Sequence, residues 1–261
     1  MIESIAPRAN RDLRDDIREY WSGRAAGFDL DPGHKIADGR ERSAWLELFT
    51  RHLGPATGRK LLDLASGTGE ISLLCHELGF DVTGLDWAEP MLERARAKVA
   101  AAEASIRFLQ ADAERTMLAD ASQDIIVTRH LVWTLVDPGA AFAEWIRVLS
   151  PGGQLLIVDG DFVSRGPFAR LLAKLIGSPQ SARDPEMARR HAEILSQVHF
   201  SGGARARAVA ALLARAGFTG IRIDTDLGAI HSAQARQLGW RKSLLRRCEH
   251  RYAISATKPR C

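Results

Sequence analysis

Residues 61–75 read LLDLASGTGEISLLC. An apolar run ends in Gly67-Thr68-Gly69, and apolar residues resume after it at helical spacing. The pattern predicts strand Lys60–Ala65, a glycine turn, and helix Ile71–Leu78. Glycine permits the tight turn and lets the backbone come close to a ligand. A strand, glycine turn and helix also occur as plain structure, so the acids around the turn decide its reading. Asp63 sits inside the apolar strand, where a carboxylate is costly without a partner. A ligand ammonium would be such a partner. Glu70 adds a second carboxylate beside the turn. A pyrophosphate favours a helix N-terminus clear of negative charge, and the dinucleotide fingerprint asks for a third small residue where Ser72 stands. The carboxylates therefore favour a cationic cofactor, with an NAD-dependent oxidoreductase as the alternative.

Working outward from the turn, strands and helices alternate. Strand Asp81–Leu85 precedes helix Pro90–Ala102, and strand Ser105–Gln110 follows. Strand Asp124–Thr128 precedes helix Gly139–Leu149, and Pro151-Gly152-Gly153 turns the chain into strand Gln154–Val158. After helix Ala204–Ala216, ended by Gly217, come strand Thr219–Thr225, a helical stretch Ala233–Arg247 and a last strand His250–Thr257 that suits antiparallel insertion. This predicts an α/β fold, a doubly wound and mostly parallel seven-stranded sheet with helices on both faces. Upstream, Arg11–Tyr20 and Glu41–Leu53 read as helices flanking a turn-rich loop, Phe28–Gly39. Residues 161–203 break the rhythm with helical stretches near Pro167–Ile176 and Pro185–Val198. The organisation expected is one domain: an N-terminal helical cap (1–57), a cofactor-binding core (58–160), a helical lid insertion (161–203) and the remainder of the sheet (204–261).

Two further acids stand at strand ends, where open α/β sheets bind ligands. Asp86 follows Asp81–Leu85 and can accept from both hydroxyls of a ribose. Asp112, in Gln110-Ala111-Asp112-Ala113, can receive an exocyclic amine. Each could instead cap a helix, Asp112 above all.

In this order the motifs resemble those of class I S-adenosylmethionine-dependent methyltransferases, in the small-molecule group that includes the ubiquinone/menaquinone enzymes. LDLASGTGE resembles the group's first motif, residues 85–92 (LDWAEPML) its second, and residues 109–113 (LQADA) its third. Residues 147–153 (RVLSPGG) resemble the turn before the fifth strand. Tyr20-Trp21, Arg24-Ala25 and Phe28-Asp29 resemble the N-terminal segment. The resemblance implies a Rossmann-like methyltransferase fold with S-adenosyl-L-methionine as cofactor and S-adenosyl-L-homocysteine as product. It implies that Ala65, Ser66, Gly67 and Gly69 lie against the cofactor, and that Asp63 holds its amino group. Asp86 would bind the ribose, Trp87 would pack on the adenine, Met91 would also contact the cofactor, and Asp112 and Ala113 would meet the adenine's edge. Thr128 and Arg129 would line the methionine end, while Tyr20 and Arg24 close over it. Trp87 and Ser66 depart from the group's usual small residues.

Methyl transfer from a sulfonium is an in-line displacement that needs a positioned nucleophile and, for hydroxyl or ammonium acceptors, a base. His130, directly after the fourth strand, is the best-placed candidate. His34, His199, Asp159 and Asp161 are others at the substrate pocket, and the two aspartates could bind a cationic acceptor. Trp21, Trp133 and Trp240 could wall the pocket, since a tryptophan face attracts cations.

The rest of the sequence limits the alternatives. From Ser201 to Cys261 there are twelve Lys/Arg against three Asp/Glu, while the whole chain is only +4. This basic end keeps an RNA methyltransferase as an alternative. Thr128-Arg129-His130-Leu131 replaces the Asn/Asp-Pro-Pro-aromatic signature of nucleic-acid enzymes, so a small-molecule acceptor is preferred. Cys75, Cys248 and Cys261 form no disulfide framework or zinc spacing, and no metal is expected. The polar N-terminus is neither signal nor transit peptide, and no apolar run spans a bilayer. A cytoplasmic protein without membrane attachment is expected, and a homodimer is compatible with the sequence.

Overall fold

A computed structural model describes residues 12–31, 33–37, 39–164, 185–236, 238, 243–244 and 249–260. Seven strands form one sheet in the order β3-β2-β1-β4-β5-β7-β6. They are β1 Lys60–Leu64, β2 Asp81–Asp86, β3 Arg107–Gln110, β4 Gln123–Arg129, β5 Leu149–Asp161, β6 Thr219–Asp224 and β7 His250–Thr257. The first five pair in parallel. β7 runs antiparallel between β5 and β6, as the sequence predicts.

Strands buried on both faces should carry apolar residues of either parity, and β1, β4 and β5 do. Leu62, Leu64, Ile126, Leu155 and Ile157 face one core with Phe142 and Trp145 of α5 (Pro138–Val148) and Val209 and Leu213 of the next-to-last helix. Leu61, Ile125, Val127, Leu156 and Val158 face the other, with Trp45 and Phe49 of α2 (Arg40–Leu53) and Ile71 and Leu74 of α3 (Glu70–Glu77). A one-residue register slip would exchange these two faces.

The sheet order reverses between β1 and β4. At such a switch point the connections leave in opposite directions and open a crevice at the strands' carboxyl ends. The crevice is roofed by the chain's first segment. Helix α1 (Leu13–Arg24) begins with a capping box in which Asp12 and Asp15 satisfy each other's backbone N–H groups. It runs into a short 3-10 helix, Ala25–Leu30, whose second half overlaps the start of the predicted loop Phe28–Gly39. Ile17 and Tyr20 of α1 pack against Ile194 of α6 (Pro185–Gln197) and Val198 just beyond it. Further helices among the described residues are α4 (Glu89–Ala101), α7 (Ala206–Arg215) and α8 (Gly228–Ala235).

Two expectations change. Helix α8, Gly228–Ala235, begins five residues before the helical stretch expected over Ala233–Arg247; of the rest of that stretch residues 243–244 are helical, and residues 237, 239–242 and 245–247 lie outside the described residues. Strand β5 is longer at both ends than Gln154–Val158. It starts at Leu149, which pairs with Gln123, and β7 pairs with it as far as Asp161. The predicted helix Pro167–Ile176 and Trp240 lie outside the described residues. Among the described residues no helix is long and apolar enough to cross a membrane.

Candidate active site

The glycine turn is built by three consecutive constraints. Ala65, Gly67 and Gly69 all have positive φ, at 55°, 54° and 81°. The Ser66 amide donates to the Leu85 carbonyl at 3.0 Å, which ties the turn to β2. The Gly67 amide then donates to Oδ2 of Asp86 at 2.9 Å. Oδ1 accepts the Ala88 amide at the same distance. Burial pushes the Asp86 carboxyl up to about 6, opposed by these N–H donors. The Trp87 amide is a third backbone donor that opposes the shift, and Asp86 lines the cavity with its remaining acceptor capacity. The Ser66 hydroxyl, on the wall of the same cavity, is buried and without a protein partner.

Asp63, almost wholly buried, accepts from the Ser72 hydroxyl at 2.6 Å. Burial raises its carboxyl to about 7; repulsion from Asp86 adds to this, and the Arg129 charge opposes it. Arg129 leaves the end of β4. Its guanidinium donates to the carbonyls of Gly33 and His34 and lies over the Trp45 ring at 4.9 Å. A cation-seeking carboxylate, Asp63, and the Arg129 guanidinium therefore sit near one another at the switch point. Glu70 has a different place from the one its sequence position suggests. Lys98 Nζ reaches it at 2.6 Å and the Ile36 amide at 2.8 Å, so it is neutralised and is not a spare charge at the turn.

Lys98 also fixes the roof. Its ammonium lies 2.8 Å from Asp29 and donates to the Thr68 hydroxyl at 2.9 Å, and Thr68 donates to Asp29 at 2.7 Å. One cation thus fastens the 3-10 segment to the glycine turn. Phe28 is carried over Gly67: a Cβ placed on that glycine would lie 3.7 Å from the ring. Phe28 in turn stacks on His34 at 4.1 Å.

Beyond β3, Asp112 accepts the Glu114 amide at 2.8 Å. Arg14 of α1 pairs with both acids. Glu114 also takes the Val136 amide at 2.7 Å, joining α1, the β3 loop and the β4 loop. Beyond β4, His130 has φ of 58°. Its carbonyl accepts the Trp133 indole N–H at 2.9 Å. Trp133 meets Trp21 edge-to-face at 6.3 Å, Phe162 at 6.0 Å and His191 at 5.6 Å.

These groups enclose a cavity of about 520 Å³. Of the residues singled out from the sequence, Trp21, Arg24, His34, Asp63, Ala65, Ser66, Gly67, Asp86, Trp87, Met91, Asp112, Ala113, Arg129, His130 and Trp133 line it. Six do not, each for a visible reason. Tyr20 is buried between Trp21 and His191. Gly69 faces α4, where a Cβ would meet that of Ala95 at 3.1 Å. Thr128 gives its hydroxyl to the Leu64 carbonyl. Asp159 accepts the Val132 and Gly160 amides at 2.7 and 2.8 Å and so caps the short helix Val132–Thr134. Asp161 accepts from the amides of Val163 and Ser164 and the Ser164 hydroxyl. His199 packs on Phe200. Arg24, although on the wall, points its guanidinium at Asp31 and the Tyr20 hydroxyl.

The wall also includes residues that the sequence reading passed over: Ile17, Glu114, Phe162, His191, Leu195 and Arg251. Ile17 stands four residues before Trp21, on the same helical face, and that spacing was the available signal. Glu114 and Phe162 each adjoin an acid that was singled out. His191, Leu195 and Arg251 come from distant segments and carry no local signal.

Residues 62–157 match the protein family described as "Methyltransferase domain". The chain is 37% identical over 112 residues to the demethylmenaquinone methyltransferase of Thermus thermophilus, covering 42% of this chain and 51% of that one. It spans between half and two thirds of the length of the first curated relatives it matches. Among solved structures, the phosphoethanolamine N-methyltransferase 2 of Haemonchus contortus with S-adenosyl-L-methionine superposes with a TM-score of 0.70 at 16% identity, covering 97% of this chain and 61% of that one. The geranyl diphosphate C-methyltransferase of Streptomyces coelicolor superposes with a TM-score of 0.63 at 18% identity, covering 95% and 99%. At these identities the structures establish the shared fold.

Proposed function

We propose that this chain, whose residues 62–157 belong to the methyltransferase-domain family, transfers a methyl group from S-adenosyl-L-methionine to a small-molecule acceptor. The observation that carries the reading is the Gly67–Asp86 contact beside the Asp63–Arg129 pair. Together they form a polar cradle matched to a nucleoside with an amino-acid head. The cradle fits such a ligand on its own chemistry. Asp86 has acceptor capacity for two vicinal hydroxyls. Ser66 brings an unpaired buried hydroxyl. Gly67, left-handed and covered only by Phe28, leaves its backbone open to close approach.

When bound, S-adenosyl-L-methionine supplies a sulfonium methyl open to nucleophilic displacement. The residues of this chain hold and screen that chemistry. Asp63 receives the ammonium, and Arg129 stands beside it for the carboxylate. Trp87 and Met91 flank the base, with Asp112 and Ala113 at its edge. Phe28 and Trp21, held down by Lys98 and by α6, exclude water from above, which strengthens every polar contact beneath. His130, at the β4 tip, orients the acceptor and takes its proton where one must leave. The buried free thiol of Cys75 supports a reducing, cytoplasmic setting.

The test is calorimetric titration with S-adenosyl-L-homocysteine. Saturable one-to-one binding is expected, and folded protein that evolves no heat at millimolar ligand would refute the cofactor assignment. For His130, a methylation rate unchanged across pH in His130→Ala would remove the proton-accepting role.

A further inference from the structure

The cavity has two halves of opposite character. Its acidic wall residues, Asp63, Glu70, Asp86, Asp112 and Glu114, lie on the β3-β2-β1 side or on α3 next to it. The half formed by the ends of β4, β5 and β7 is walled by aromatic and basic groups instead: Trp133, Phe162, His130 and Arg251, with Trp21 and His191 from the roof. Two acids do stand in this region of the chain, Asp159 and Asp161. Both accept backbone amides, of Val132 and Gly160 and of Val163 and Ser164; Asp161 also lies 3.7 Å from Arg205, Asp159 feels the Arg251 charge, and neither lines the cavity. Among the described residues, no carboxylate lines this half.

We infer that the β4–β7 half of the cavity is an acceptor subsite for a flat, unsaturated carboxylate, with Arg251 as its counter-charge. The inference rests on the methyl-transfer reading and adds the class of acceptor. Three rings, Trp21, Trp133 and Phe162, meet edge-to-face at 6.0 to 6.3 Å. Such faces hold planar, polarisable molecules. They also attract cations, but among the described residues no carboxylate lines this half to pair with one. Arg251 decides the sign. It rises from β7 with its guanidinium over Phe162 at 5.6 Å, its side chain only 8% exposed. Glu249, at the rim, holds one edge of the fork at 2.8 Å. The other edge makes only a long contact, 3.4 Å, with the Gln234 amide oxygen. A planar guanidinium with an edge so weakly occupied matches a carboxylate better than it matches a neutral or cationic group.

The experiment uses three naphthalene probes of one shape and different charge: 2-naphthoate, 2-naphthamide and 2-naphthylmethylammonium. Each is titrated by calorimetry into the full chain, with and without saturating S-adenosyl-L-homocysteine. Naphthoate is expected to bind about tenfold tighter than the amide, and the ammonium weakest. In Arg251→Gln the preference of naphthoate over amide should fall below about threefold, while affinity for S-adenosyl-L-homocysteine stays unchanged. Arg251→Lys should retain part of the preference. Tightest binding of the ammonium, absence of binding by all three, or a carboxylate preference that survives in Arg251→Gln overturns the inference. If Arg251→Gln does not fold, the ranking of the three probes on the native protein still decides. The titration with S-adenosyl-L-homocysteine alone reports separately on the cofactor reading, so the two can fail independently.

Discussion

The amide of Gly67 donates to the carboxylate of Asp86 across 2.9 Å, so the first glycine of the turn and the acid at the end of β2 form one unit. Neither can move without the other. Two residues earlier in β2, Gly84 makes room for the Phe108 ring of β3: a Cβ there would lie 2.5 Å from it. Asp86 lines the cavity while its oxygens accept backbone amides. Replacing Asp86 by Ala removes two charge-assisted acceptors from the ligand and one acceptor each from Gly67 and Ala88. Affinity for S-adenosyl-L-homocysteine should fall about 100-fold, read by calorimetry. Asp86→Asn, which keeps one acceptor oxygen, should lose less. An Asp86→Ala protein that is folded and binds as tightly as the parent would show that the diol is held elsewhere.

Protonation of the same acids gives a signed pH dependence. Asp63 and Asp86 titrate in the folded protein near 7 and 6, against an ordinary value of 3.8, chiefly because burial disfavours the charge. The folded state therefore binds protons more tightly than the unfolded one over this range. By linkage, their contribution makes the ligand-free protein less stable as pH rises from about 4 to about 7. An ammonium at Asp63 and hydroxyls at Asp86 favour the ionised forms. Binding of S-adenosyl-L-homocysteine should then release protons and weaken as pH falls from 8 to 5.5, approaching about tenfold per unit for each proton released. Titrations at pH 6.5 in two buffers of different ionisation heat measure the released protons directly; net uptake would contradict the assignment.

Lys98 holds two carboxylates, Asp29 at 2.8 Å and Glu70 at 2.6 Å, with all three side chains mostly covered. Lys98→Met keeps the aliphatic stem and removes the charge. Two partly buried acids then face each other across Thr68 without a cation, a change that should destabilise the protein by about 2 kcal/mol. The loss should be local as well as global. The 3-10 segment that carries Phe28 over Gly67 is released, so amide hydrogen exchange over residues 25–31 should accelerate more than exchange in β1 and β4. Equal acceleration throughout would mean that Lys98 stabilises the fold without latching the roof.

The sheet was legible because its signals are local and repeated. Apolar strands of either parity, each followed by a turn and a helix, leave little choice but a doubly wound parallel sheet, and Asp63 and Asp86 stand where such a sheet binds ligands. What the sequence hid depends on contacts across many residues. Glu70 reads as a free acid beside the turn until Lys98, twenty-eight residues on, is seen to neutralise it. Asp159 and Asp161 read as a paired site at a strand tip, because an acid that caps a turn and an acid that binds a ligand look the same in one dimension. The roof and the basic half were least visible. His191 and Arg251 become wall residues only through the packing of α6 on α1 and the insertion of β7 beside β5.

Asp159 shows how the structural and functional readings of an acid can be separated. Its two oxygens accept the amides of Val132 and Gly160, and burial raises its carboxyl to about 7. Both facts describe an acid that organises the β4 loop from behind the cavity wall. Asp159→Ala leaves two buried amides without acceptors and should destabilise the protein by about 2 kcal/mol. Asp159→Asn retains one acceptor and removes a charge that burial disfavours, so it should be milder and should flatten the decline in stability between about pH 4 and 7. In both variants affinity for S-adenosyl-L-homocysteine, measured below the melting transition, should stay within about threefold of the parent. A larger loss of affinity in Asp159→Asn, without a matching fall in melting temperature, would place this carboxylate in the ligand's own shell and overturn its assignment as a cap.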